Sequence, residues 1–151
     1  MQNVFDAKDA QEYINRINNL TPETQRKWGK MSVDQVLAHL NVAYDLTFMP
    51  EKFPKPSFIA KFLLSRFVKP KITNEIPYKQ SLPTSPAFII ADERNFEEEK
   101  AKLIGNIQRV QQLGREAFEG KENINFGKMT AQGWNNMFAK HLNHHLEQFG
   151  V

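Results

Sequence analysis

The chain has 151 residues, 40% hydrophobic and 25% charged, with a net charge of +3 and no cysteine. That length suits one domain over residues 1–151 with a substantial core, and the composition is that of a soluble globular protein. The missing cysteine removes disulfides, thiolate metal ligands and a cysteine nucleophile, and so small a net charge argues against a nucleic-acid partner.

Residues 6–19 carry Ala10, Tyr13, Ile14 and Ile17 at helical spacing, which predicts a first amphipathic helix. Thr21-Pro22 then predicts a short helical turn ending near Gly29, with Pro22 at its first position. A second long helix is expected over residues 33–48, with Val36, Leu37, Leu40, Tyr44 and Phe48 as its apolar set and Pro50 and Pro54 beyond its end.

Most of the eight prolines fall between Pro50 and Pro86, which reads as a crossover. Within it, residues 57–68 predict a short helix with an apolar face of Phe58, Ile59, Phe62, Leu63 and Phe67, and residues 71–88 read as loop. Residues 52–79 also hold seven basic groups and a single acid, Glu75, so this segment carries +6 and the rest of the chain −3. A third long helix is expected over 92–113, with its acids at the start and Gly114 as its stop. Residues 120–127 read as loop, and 131–149 as the last helix. Four long helices with one long connection describe an all-α four-helix bundle with a crossover between the second and third.

The four histidines are unevenly placed: His39 stands in the second helix, and His141, His144 and His145 stand together in the last. Both helices open on the same words, Trp28-Gly29-Lys30-Met31-Ser32 and Phe126-Gly127-Lys128-Met129-Thr130. Ser32 and Thr130 are natural N-caps, and Ser32 with Gln35 forms a capping-box pattern. Counted from those caps at about 100° per residue, His39, His141 and His145 point within roughly 80° of one another. With a rise of about 1.5 Å per residue, antiparallel neighbours would bring the three rings to one level, whereas a parallel pair would miss by several ångströms. Three imidazoles so arranged make a metal site with an open position, and nitrogen donors suit zinc or nickel among divalent transition metals.

The two motifs, from Trp28 through His39 and from Phe126 through His145 to Gly150, resemble a domain-of-unknown-function branch of the DinB-like superfamily. The resemblance implies a four-helix bundle with a long crossover and a divalent metal held by His39, His141 and His145. The doubled His144-His145 leaves His144 as an alternative third ligand by the i, i+3 spacing. The superfamily includes metal-dependent transferases and isomerases that use low-molecular-weight thiols. A three-nitrogen site leaves room for water or an external thiol, so a transferase or hydrolase is implied, and without a cysteine of its own the protein needs the thiol as a cosubstrate.

Around the triad, Gln35 is one turn before His39 and Gln148 one turn beyond His145, which makes either a partner for a ligand or an ordinary capping group. Trp134 and Tyr44 fall within reach of the pocket or in the core. Lys55, Lys61, Arg66, Lys69 and Lys71 offer a surface to steer a small anionic substrate, or form a solvated face. A membrane-surface role for residues 57–68 competes with both, although only two basic residues lie within that span. No run is long and apolar enough for membrane insertion, and the first residues lack the apolar core of a signal peptide, so the chain reads as cytoplasmic. The competing functional reading is a non-catalytic bundle, a homodimer or interaction module whose metal is structural or absent.

Overall fold

Asp6 opens the first helix: its carboxylate accepts from the backbone N–H groups of Lys8 and Asp9, and α1 (Ala7–Asn18) follows. The computed structural model describes residues 1–151. After a turn region without helix at Thr21-Pro22, Ser32 begins α2 (Val33–Phe48), with its backbone N–H donating to Gln35 Oε1 at 3.1 Å. The crossover helix runs without a break through α3 (Phe58–Leu63), a π-helical turn (Leu64–Val68) and α4 (Lys69–Thr73). Two more long helices, α5 (Phe96–Leu113) and α6 (Ala131–Gln148), complete a mostly helical chain.

Contacts between helices fix their directions. Asp34, Asn41 and Asp45 of α2 meet Arg94, Glu99 and Lys102 in ascending order, so α2 and α5 run parallel. His39 and Tyr44 meet His141 and Phe138 in descending order, so α2 and α6 are antiparallel. Tyr13 and Arg16 meet Ala139 and Asn143, which makes α1 parallel to α6. Parallel α2 and α5 require the chain to return the length of the bundle between them, and residues 49–95 do so.

Between these helices lies one core of 26 buried residues, including Tyr13, Ile17, Leu37, Leu40, Leu103 and Ile107. Each fully buried side chain of this size contributes about 1.5–3 kcal/mol. Phe118, from the 3-10 turn Arg115–Phe118, fills the far end of the core, with its ring 5.6 Å from Trp134 and 6.2 Å from Phe138.

Several boundaries differ from the sequence expectation, each for a local reason. The third long helix starts at Phe96 and not at Asp92, because the Asn95 side chain caps it by accepting from Glu98 N–H, while Arg94 N–H is held by Asp34. The crossover helix continues to Thr73, through Pro70. Proline removes an N–H and crowds the preceding turn, and the π turn just upstream, where Lys69 N–H reaches back to Leu64 O, widens the helix there. Residues 120–127 are not all loop: β1 (Glu122–Asn123) pairs antiparallel with β2 (Gly127–Lys128), and Lys69 Nζ donates to Lys128 O at 2.5 Å.

The crossover helix also turns the other way from a core helix. Leu64, Val68 and Ile72 pack against the core, while Phe58, Ile59, Phe62, Leu63 and Phe67 face solvent.

Candidate metal centre

Because α2 and α6 are antiparallel and their caps set the helical phase, His39, His141 and His145 converge in the bundle interior. One ring nitrogen from each lies within 4.8 Å of the other two. His39 Nε2 and His141 Nε2 are 2.9 Å apart, and the ring of His145 is centred 4.5 Å from His39 and 5.0 Å from His141.

The outward nitrogens of two of these rings are committed. His39 Nδ1 lies 2.8 Å from the carbonyl oxygen of Phe88. A carbonyl only accepts, so this contact places the proton on Nδ1 and leaves a lone pair on Nε2. His145 Nδ1 is likewise 2.8 Å from Gln148 Oε1, and the Gln148 amide donates onward to Trp28 O at 2.7 Å.

Gly29 makes room for that amide. It takes φ of +82°, and a Cβ there would collide with Gln148 Nε2. Gly127, its counterpart before the last helix, also has positive φ, at +68°, so the shared aromatic-Gly-Lys-Met words encode a left-handed residue just ahead of each helix cap.

Burial keeps the three rings neutral. His39 is held below the ordinary imidazole range by desolvation, against which the Phe88 carbonyl works. His141 is held well below it, by burial first and then by the neighbouring histidines. His145 is pushed down to about 3 by burial and by His39, partly offset by Gln148. With the His39 proton on Nδ1, His141 Nε2–H is the donor to His39 Nε2, and a divalent ion would take the inward lone pairs of neutral imidazoles once His141 carries its proton on Nδ1. At the usual metal–nitrogen distance of about 2.0–2.1 Å, tetrahedral donors sit roughly 3.4 Å from one another, a separation that small ring movements reach here. The donor set therefore fits a borderline transition metal, and no carboxylate belongs to it.

His144 stands apart from the cluster. Its ring is nearly perpendicular to that of His145 at 4.9 Å and packs by its edges against Trp28 and Tyr78. Gln35 is used by the α2 cap, and its Nε2 donates to Asp92 O at 3.3 Å. Tyr44 and Trp134 are not pocket residues. Tyr44 stacks on Phe138 at 4.7 Å in the core, and Trp134, also fully buried, donates its indole N–H to Lys121 O. Both lie at the level of Phe138 and the first half of α6, away from the histidines.

A cleft of about 750 Å³ opens beside His145, lined on one side by Trp28 to Met31 and Gln35 and on the other by residues 81–84 and 88–91 of the crossover. Lys30 is its single lysine or arginine, and no carboxylate lines it. The Trp28 indole N–H is buried there without an acceptor on the protein. None of Lys55, Lys61, Arg66, Lys69 or Lys71 reaches this cleft. Lys61 is paired with Glu122 at 2.8 Å, and Lys69 is bonded to the β-hairpin. The Phe88 carbonyl had no signature in the sequence, because any residue type can present a backbone oxygen.

Among curated proteins and among solved structures nothing matches the chain. A family model described as a protein of unknown function, DUF1569, matches residues 2–150, and the chain belongs to that family.

Proposed function

We propose that this protein is a divalent-metal-binding bundle of the DinB-like kind, with the long crossover of that superfamily, and that His39, His141 and His145 hold zinc or nickel. The convergence of three neutral imidazole nitrogens beside an open cleft carries this reading. When bound, such an ion supplies Lewis acidity, lowering the pKa of a water or a small thiol in its remaining position. The chain's own groups do the rest. The Phe88 carbonyl and the Gln148 amide fix the ring orientations of His39 and His145. Trp28, Met31, Leu82, Phe88 and Ile89 give the cleft an apolar wall, while Lys30 and the absence of carboxylates admit an anionic or neutral small molecule in preference to a cation. The reaction class that follows is thiol S-transfer or hydrolysis.

Untagged protein should carry near one equivalent of zinc or nickel by elemental analysis, and His141→Ala should bring it to background. Screening small thiols and ester or amide substrates against the metal-loaded protein then tests catalysis. Metal without turnover, together with a fourth ligand from the protein, selects the competing reading of a non-catalytic module with a structural metal. The exposed apolar face of the crossover helix is the observation in favour of that module.

A further inference from the structure

We propose that the exposed face of the crossover helix seats the protein on the surface of an anionic phospholipid bilayer. The inference stands on the outer face of α3 and the π turn that follows it and is independent of the metal.

Phe58, Ile59, Phe62, Leu63 and Phe67 recur at the i, i+3 and i+4 spacings that place side chains on one face of a helix. They are left 88%, 70%, 61%, 47% and 59% exposed, although the opposite stripe of Leu64, Val68 and Ile72 is packed against the core. Folding has thus used one stripe of this helix and left the more apolar one in water. Contiguous exposed apolar surface of this kind marks a place where something else binds.

The surrounding charge identifies what. Lys52, Lys55, Arg66 and Lys71 are exposed and form no ion pair, whereas Lys61 and Lys69 are occupied by Glu122 and the hairpin carbonyls. From Lys52 to Asn74 the chain contains no acidic residue at all. A second copy docking face to face would bring two such cationic surfaces together with no carboxylate in either segment to answer them. An anionic bilayer answers both features, since lipid headgroups take the lysines and arginine while the interfacial region takes the phenylalanines. The unbroken helix from Phe58 to Thr73 would lie along the surface, because no helix of the protein is long and apolar enough to cross a membrane.

Co-sedimentation of the full-length protein with vesicles tests this directly. Binding is expected to equimolar phosphatidylserine and phosphatidylcholine, to weaken as salt is raised, and to be marginal on phosphatidylcholine alone. The pair Phe62→Ser and Phe67→Ser should lower partitioning by at least about tenfold, as should Lys55→Glu with Arg66→Glu, with helix content and bound metal unchanged. Both pairs point away from the core, so circular dichroism should confirm a folded variant. Wild-type protein that ignores the anionic vesicles overturns the proposal, as does a phenylalanine pair that binds them as well as wild type. So does a concentration-dependent dimer that the same phenylalanine substitutions dissolve without any vesicle binding, which assigns the face to a second copy.

Discussion

On α6, Trp134, Phe138, Leu142 and Leu146 are all 0–1% exposed, whereas Phe58, Ile59 and Phe62 of α3 are all more than 60% exposed. Both helices show apolar residues at helical spacing, and only one buries them. The difference lies in neighbours: α6 packs against both α1 and α2, while the crossover helix lies on the outside of the bundle and docks through a single stripe. Periodicity reports that side chains share a face, but it does not report which way that face turns.

The sharpest way to break the comparison is at the histidines, which are polar groups inside the better-buried region. His39→Ala or His141→Ala should abolish stoichiometric metal, read by elemental analysis, while circular dichroism stays helical. Retention of metal by both variants would falsify the triad.

Next in size is the contrast between two phenylalanines. Phe118 is fully buried among Phe5, Trp134 and Phe138, and Phe118→Ala should cost about 3–5 kcal/mol in urea denaturation. Phe62→Ala should change stability by no more than about 0.5 kcal/mol. Similar losses at the two sites would mean that α3 is buried in solution.

Much of this contrast was legible in the residues, and the limits are physical. Ser32 and Thr130 are local signals, so the starts of α2 and α6, and with them the phase and level of three rings, follow from short-range chemistry. The nearness of Gln148 to His145 follows from their spacing of three. The Phe88 carbonyl does not, since it arrives from 49 residues away along a crossover whose path depends on tertiary packing. Tyr44 and Trp134 share the general helical direction of the histidines, but they lie toward the other end of the α2–α6 contact, a difference of depth and not of phase. At Pro70 the general rule that proline ends a helix yields to a π turn.

A smaller effect separates ligand from support. Gln148→Ala should leave metal bound but weaken it roughly 10- to 100-fold in a chelator competition, because His145 loses the acceptor that orients its ring. Gln148→Glu keeps an acceptor for His145 Nδ1 but sets a carboxylate oxygen against Trp28 O in place of the donor, so it should recover metal affinity while lowering the stability of the metal-free fold. Equal losses in the two variants would place the role of Gln148 in the Trp28 contact instead.

Acidification reads the same histidines without metal. His39, His141 and His145 all have folded values below the ordinary imidazole value. The unfolded chain therefore takes up protons below about pH 6.5 that the folded chain refuses. Stability of chelator-treated protein should be flat above that pH and fall below it, toward the value of about 3 for His145, by roughly 1.4 kcal/mol per pH unit for each proton taken up. His141→Phe should shallow that slope. A slope unchanged in this variant would assign the acid loss to groups other than His141, with His39, His144 and His145 the remaining depressed imidazoles.

The smallest effect lies where the crossover helix is fastened. Lys61 and Lys69 both reach the β-hairpin, yet by different bonds. Lys61 pairs with Glu122, with side chains 35% and 62% exposed, so water screens the pair. Lys69 instead donates to the carbonyls of Lys128 and Phe126, backbone acceptors at the foot of the strand that leads into α6. Lys61→Met should therefore cost little stability, and less still in high salt. Lys69→Met should cost more, since charge-assisted bonds to backbone are worth about 1.5–3 kcal/mol each at best, and should loosen the hairpin in hydrogen exchange. If instead the Lys61 variant is the one that frees the hairpin, the crossover is held by its surface ion pair, and its outer face is less firmly presented than its packing through Leu64 and Val68 implies.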